Sequence, residues 1–469
     1  MKTQPRTLTC ECARPDWRLL LTAVIICAIA GQVTAAPGDW LEEVKLLPAD
    51  GGDGDCFGCS VSLDGEIALI GASSGTNDNG EAAGSAYVFR DGGAGWFQEA
   101  KLLAADGEED DEFGVAVSIH DDVVVIGATS DEDNGAFSGS AYVFRLDGSE
   151  WVQEAKLLAS DGAMWDGFGG SVSISGNRVI IGAHGDDDNG DLSGSAYVFR
   201  HDSAGWVEET KLLPADGTMW SDFGFSVSVS GNTAIVGAPH DHNENSGAAY
   251  VFRYDGVGWV EEAKLLFPDG EEWGRFGCSV SIAGDIAVIG AQWDNDNGFA
   301  SGSAYVFRYN GTDWVEEAKL LPTDGEGNEE FGCSVSISDN RAVIGASKDD
   351  DNGTGSGSAY VFRHDGTQWV EEAKLLASDG TTYDSFGRAV SISGDTAVLG
   401  ADGDDFSGSS YVFERANCPA DFDGDGDVDT ADLLFLLGAW GTPDGDVDGD
   451  GDTDTADLLA LLGAWGECP

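Results

Sequence analysis

Residues 40–47 read WLEEVKLL, and six near copies follow: WFQEAKLL from 96, WVQEAKLL from 151, WVEETKLL from 206, and WVEEAKLL from 259, 314 and 369. Each later copy comes just after a YVFR segment, but the first has none before it. At the other end, the last YVF, at 411–413, has no copy after it. A repeat that begins with its own closing piece describes a ring, in which the orphan at each end completes the other.

The remaining landmarks keep the same period. Phe-Gly recurs at 57, 113, 168, 223, 276, 331 and 386, and Gly-Ala follows at 71, 127, 182, 237, 290, 345 and 400. Between them the text alternates as strands do: FGxSVSIS, a short AVIGA-type apolar run, GSAYVFR, then the tryptophan segment. Gly, Asp and Asn fill the joints, as hairpin turns require. Seven units of four antiparallel strands at a fixed period, with no helical periodicity, predict an all-β, seven-bladed β-propeller over 40–413. FGRAVSIS, DTAVLGA and GSSYVF of the seventh unit lack an outer strand, and WLEEVKLL supplies it.

Phe-Gly followed by Gly-Ala, with Gly237-Ala238-Pro239 in the fourth unit, resembles the FG-GAP repeat of integrin α-subunit propellers. The added YVF and W-x-x-x-x-K-L-L landmarks are closer to the bacterial FG-GAP subfamily. The resemblance implies a propeller that serves binding or adhesion. It also implies D-x-D-x-D-G calcium loops between the first two strands, but here that joint has shrunk to Ser175-Gly176-Asn177 or Ser393-Gly394-Asp395. Such a joint is too short to wrap a cation, so calcium is not expected there.

Acid has collected instead in the next joint: DEDNG from 131, DDDNG from 186, DHNEN from 241, DNDNG from 294 and DDDNG from 349. These joints share one rim, the top, and the short hairpins occupy the other. Three residues before Phe-Gly, on the same rim, stand Trp165, Trp220, Trp273 and Tyr383, with Gly54, Asp110 and Asn328 in the other units; Trp293 adds a further ring. Exposed rings beside carboxylates stack on and hydrogen-bond sugars, whereas the same rings turned inward would only plug gaps between blades. The expected ligand site therefore lies near Trp165, Trp220, Trp273 and Trp293, with Asp186, Asp188, Asp294 and Asp296 as polar or cation-bridging partners.

Composition shifts at Cys418. DFDGDGDVDTADLLFLLGAWG starts at 421 and DVDGDGDTDTADLLALLGAWG at 446. Asp421, Asp423, Asp425, Asp427, Asp429 and Asp432 stand at positions 1, 3, 5, 7, 9 and 12 of a calcium loop. Asp446, Asp448, Asp450, Asp452, Asp454 and Asp457 repeat them. Two Ca²⁺ ions are expected. Aspartate at position 12 and a single helix after each loop resemble dockerin type I modules, over 418–468. That resemblance implies a cohesin-like partner, although Thr430-Ala431 and Thr455-Ala456 depart from the family's Ser-Thr pair. Cys418 and Cys468 bracket the module as a candidate disulfide. Cys56, Cys59, Cys278 and Cys333 receive no pairing.

At the N-terminus, Arg14 and Arg18 precede the apolar run LLLTAVIICAIA (19–30), and Val33-Thr34-Ala35 offers small residues for cleavage. Residues 1–35 read as a signal peptide, because twelve apolar residues are too few to span a bilayer. The protein is expected to be secreted or held at the cell surface, with no transmembrane segment. Its 85 acidic against 23 basic residues give a net charge of −62. That charge excludes nucleic acid and anionic lipid as partners and suits divalent cations, basic partners or a saline habitat. No G-x-S-x-G, Walker or H-E-x-x-H motif is present, and His184, His240 and His242 near the top rim face no identifiable ligand. The expectation is a non-catalytic binding protein with no catalytic residue. A polysaccharide lyase or hydrolase on the same scaffold and a structural matrix protein stand as alternatives.

Overall fold

The computed structural model describes residues 39–469 apart from Asp78 and 242–245, 270–272, 417–419, 421, 423–426, 429, 442–446, 448–452, 464–465 and 468–469. The expected signal peptide and the Cys418–Cys468 bridge lie outside the described residues, as does His242. The chain divides into a unit over Trp40–Arg415 and a second that takes in Ala416–Pro469.

Seven four-stranded antiparallel sheets make up the larger unit, a β-propeller. Blade 1 runs from the axis outwards as Phe57–Asp64, Ile67–Ala72, Ser85–Asp91 and Trp96–Leu102, and the next five blades repeat it. Blade 7 takes Ala389–Ser393, Thr396–Ala401 and Ser409–Arg415 from the C-terminal side and Trp40–Leu46 from the N-terminal side. Trp40 pairs with Arg415 and Leu46 with Ser410, so the ring closes with the register the orphan strand requires. Second strands such as IALIGA are apolar throughout because a neighbouring blade covers each face. Outer strands, with one face in solvent, carry the charges.

The blades touch through three sevenfold contacts. Nearest the backbone, the glycine of each Gly-Ala lies against the glycine of Phe-Gly in the next blade. A Cβ on Gly71 would sit 1.9 Å from the Gly114 carbonyl oxygen, and one on Gly400 would sit 1.9 Å from that of Gly58, across the closure. Farther along, the serine after the valine of each SVS or AVS segment accepts the N–H of the next blade's inner strand, from Ser62 with Ile119 (3.1 Å) round to Ser391 with Leu63 (2.9 Å). On the outer strands, each tryptophan N–H donates to a glutamate of the preceding blade, as Trp96 does to Glu43 (3.0 Å) and Trp40 to Glu372 (3.3 Å).

Among the described residues, the smaller unit holds two helices, α1 (Thr430–Gly438) and α2 (Thr455–Gly463), and a two-residue ladder of Asp427–Val428 with Gly466–Glu467. Ala420, Val428, Leu436 and Leu461 form its core, with Phe422, Leu433, Val447 and Leu458 packed against them. Asp432 and Asp457, one in the first turn of each helix, are fully buried. Asp432 accepts the Phe422 N–H at 2.6 Å, and Asp457 accepts those of Val447 (2.7 Å) and Asp454 (2.6 Å). Among the described residues, no helix is long and apolar enough to cross a membrane.

Removing residues 36–47 should strip blade 7 of its outer strand, uncovering the Ser409–Arg415 edge and the surroundings of Leu46. We expect aggregation or a large fall in Tm by differential scanning calorimetry. A truncated protein that melts like the parent would contradict the closure.

Candidate ligand site on the acidic rim

The turn that leads into each blade fixes what the top rim displays. Three residues before Phe-Gly the backbone is left-handed in every blade: φ is 90° at Gly54, 68° at Asp110, 76° at Trp165, 68° at Trp220, 73° at Trp273, 71° at Asn328 and 71° at Tyr383. For a bulky residue this conformation is uncommon and costs free energy. It persists because the turn is pinned to the preceding blade: Trp220 N–H donates to the Asp191 carbonyl (2.8 Å), Asn328 to Phe299 (2.7 Å) and Tyr383 to Thr354 (2.9 Å). The side chain is thereby turned out onto the rim. Trp165, Trp220, Trp273 and Tyr383 are 58, 47, 67 and 69% exposed, so they do not fill gaps between blades.

These rings do not form one platform. Trp165 lies face to face with Phe137 at 4.3 Å, a pair that clips blade 3 to blade 2. A concave site opens elsewhere, over blades 5 to 7, where Asn328 takes the place of a ring between Trp273 and Tyr383. This groove of about 680 Å³ is lined by Trp273, Trp293, Phe299, Asn328, Thr354 and Tyr383. Its charged groups are engaged at the edge: Lys348 lies 3.7 Å from Glu330, and Asp350 accepts the Gly355 N–H at 2.7 Å. The Arg275 guanidinium stacks 3.9 Å above the Trp293 ring and holds it. Of the rings expected to form the site, Trp273 and Trp293 line the groove, and Trp165 and Trp220 do not. Phe299 was not foreseen, because no repeat landmark marks its position.

The rim carboxylates have partners that the sequence reading missed. Seven of the nine lysines stand in the outer-strand motif, one per blade, a recurrence that was the available signal. Among the described residues, six of the seven ammonium groups reach into a cluster of two or three aspartates beside the tyrosine of YVF, and Lys101 binds Asp50 alone. Lys211 binds Asp186 and Asp188, both at 2.7 Å, and Asp161 at 2.9 Å. Lys319 binds Asp294 (2.7 Å), Asp296 (2.5 Å) and Asp269, 5.3 Å above the Tyr305 ring. Asp186, Asp188, Asp294 and Asp296 thus hold lysines and do not line the groove. Three carboxylate oxygens, those of Asp269, Asp294 and Asp296, converge closely enough to hold a metal ion, and the Lys319 ammonium stands among them. Burial opposes the charge on Lys319, but the three aspartates outweigh it and hold its pKa above the ordinary lysine value. Lys319 and Tyr305 in turn hold Asp269 below the usual carboxylate range.

Other polar groups on this unit have structural duties. His240 pairs with Asp222 at 2.6 Å, and burial lowers the pKa of His184. Cys56, Cys59, Cys278 and Cys333 are free thiols. Cys59, Cys278 and Cys333 line the axial channel, where burial pushes Cys278 up to about 11. In the smaller unit, Asp432, Asp454 and Asp457 are the calcium-loop side chains that fall within the described residues. Asp421, Asp423, Asp425, Asp429, Asp446, Asp448, Asp450 and Asp452 lie outside them.

The repeats have known relatives. The FG-GAP repeat family profile matches 40–89, 96–144, 151–199, 206–252, 259–307, 314–362 and 369–413, all seven units. Integrin alpha-M of Mus musculus is 26% identical over 195 residues, covering 37% of this chain and 16% of the integrin. The chain therefore spans a small fraction of that relative. The crystal structure of Sqt1 from Saccharomyces cerevisiae aligns over 82% of this chain and all of its own, at 10% identity and a TM-score of 0.43, too slight a likeness to argue from.

Two measurements check the electrostatics. Lys319→Met would leave Asp294, which is fully buried, without its counter-ion. We expect a loss of about 3–5 kcal/mol in chemical denaturation; an unchanged midpoint would show that the cluster does not depend on its lysine. The second concerns pH. Burial pushes Glu329 up to about 7 and both Asp111 and Asp166 up to about 6. Raised folded-state values mean that these groups favour folding most at low pH, and their contribution is lost as pH rises through 6 to 7. Glu329→Gln, which keeps an acceptor for the Glu326 N–H, should raise Tm at pH 8 and leave it nearly unchanged at pH 4. Equal effects at both pH values would contradict this assignment.

Proposed function

The chain belongs to the FG-GAP repeat family, and from that membership we propose that it is an extracytoplasmic, non-catalytic binding protein of the adhesion type. The observation that carries this reading is the groove over blades 5 to 7. It is concave, aromatic and open, it lies where the sevenfold pattern is broken, and its volume of about 680 Å³ is that of a small-ligand site. A repeated scaffold presents seven equivalent turns, so a unique ligand needs a departure from equivalence. Asn328, flanked by rings, is such a departure.

In this proposal the smaller unit attaches the protein to a surface or partner. Its two acidic loops would take one Ca²⁺ each, with Asp432 and Asp457 closing them. A carboxylate as buried as these two needs donors or a cation, and that environment suits a calcium ligand. Leu434 and Leu437 on α1, and Leu459 and Leu462 on α2, stand exposed at matching positions 25 residues apart. An apolar pair repeated on both helices fits a cohesin-like domain that buries it.

The test uses the full chain. Calorimetry should register two Ca²⁺ ions, and replacing Asp432 and Asp457 by Ala should abolish uptake at both loops. Leu434→Asp with Leu459→Asp should then remove capture by cohesin domains while calcium uptake persists. No calcium uptake by the parent would remove the attachment half of the proposal. Release of cleaved products from any bound polysaccharide would favour the enzymatic alternative.

A further inference from the structure

We propose that the groove at blade 6 takes a neutral oligosaccharide of pyranose rings. This rests on the reading of that groove as the ligand site and adds the class of ligand. Three observations decide it.

The first is hydrogen-bond accounting. All seven outer-strand tryptophans donate their indole N–H to a glutamate at 3.0–3.4 Å. The seven YVF tyrosines likewise give their hydroxyls to aspartates, as Tyr360 does to Asp324 at 2.9 Å. By contrast, neither the N–H groups of Trp273 and Trp293 nor the Tyr383 hydroxyl has a partner in the protein among the described residues. The Asn328 amide and the Thr354 hydroxyl are free in the same way. Five groups that can donate, three of them also able to accept, surround one cavity. A purely apolar ligand would leave them unpaired on desolvation, which is costly. A polyol, whose hydroxyls both donate and accept, pairs with them all.

Ring geometry is the second observation. Trp273, Phe299 and Tyr383 are 67, 77 and 69% exposed and come from three different turns, so they offer separate faces and no single apolar floor. Faces of this kind suit the C–H surface of a sugar ring, while the polar tips of Trp273 and Tyr383 reach its hydroxyls.

Charge is the third. The chain carries a net −62, which repels a polyanion such as a uronate polymer. Inside the groove Lys348 offsets Glu330, and the Asp350 carboxylate accepts the Gly355 N–H while keeping its charge. The one carboxylate left without a cation, Asp350, adds to the repulsion of a polyanion. A neutral chain meets no penalty from either source.

The experiment is isothermal titration of the full-length protein with three probes: a neutral β-linked gluco-oligosaccharide mixture, an oligouronate of similar length, and an oligolysine peptide. The neutral mixture should bind, with an affinity that hardly changes between low and high salt, because no counter-ions are exchanged. Trp273→Ala and Tyr383→Ala should each weaken binding about tenfold. Asn328→Trp provides a control for folding. Three other blades hold tryptophan at this left-handed position, so the variant should melt like the parent, yet its ring should fill the groove and abolish binding. If the peptide binds, salt weakens it and Asn328→Trp blocks it, the groove is a ligand site and the sugar assignment falls. The same holds for the uronate. Neutral sugar bound equally well by Asn328→Trp would place the sugar elsewhere and overturn the inference. If no probe binds, the sugar assignment falls, and a protein-ligand panel blocked by Asn328→Trp then decides whether the groove itself survives as a site.

Discussion

Two glycines facing each other across a blade junction set the geometry of this molecule. With a Cβ on the Gly-Ala glycine lying 1.9–2.0 Å from the carbonyl oxygen of the next Phe-Gly glycine, no other residue fits at any of the seven junctions. The Phe-Gly glycine is also left-handed, φ 82–99° throughout, with the neighbouring strand's carbonyl against the space a side chain would need. Backbones in direct contact bring the inner strands close enough for the serine-to-amide bonds that run round the ring. They also bury the phenylalanine of Phe-Gly completely, edge-on to the tyrosine of YVF, as Phe331 is to Tyr360 at 5.4 Å.

Packing of this density leaves little freedom for acidic residues, and the chain has many. The lysine of each outer strand resolves the conflict on the top rim. In six of the seven blades it supplies a tethered cation where two or three aspartates converge, and the tyrosine hydroxyl satisfies further oxygens. With the acidic joints held as structure by the ammonium, the blades differ from one another at the turn residues above them. The left-handed position before each blade is that turn residue. Its side chain is projected outward whatever it is, which lets Trp, Tyr, Asn, Asp or Gly occupy it without disturbing the contact beneath.

The smaller unit follows a different logic. It is too small for a large core, and Ala420, Val428, Leu436 and Leu461 are its centre. Burying Asp432 and Asp457 in such a unit costs free energy unless their oxygens are fully engaged, and backbone N–H groups from each loop start engage part of them. Leucines left on the surface of both helices complete the contrast with the propeller, whose apolar side chains lie mostly between blades.

Sequence by itself determined the scaffold. Seven Phe-Gly, Gly-Ala and YVF landmarks and an orphan strand at each end were enough for blade count, strand order and closure, because period-two burial and glycine-only contacts leave regular marks in the text. The choice of aromatic position also came from the sequence, since Trp273 and Tyr383 recur at a fixed offset and Trp293 stands in a rim joint. Tertiary structure alone decided which of these rings share a site. Trp165 is occupied by Phe137, and Trp220 lies outside the groove. Phe299 and Thr354 enter it from joints that resemble their neighbours. Likewise the role of Asp186, Asp188, Asp294 and Asp296 could not be read from their spacing, because the lysine that binds each pair lies about 20 to 25 residues farther along the chain and reaches them only when the outer strand folds back beside the tyrosine. A linear pattern records which residues repeat. Which charge meets which, and where a ring is left facing solvent, depends on distances that exist only once the ring of blades has closed.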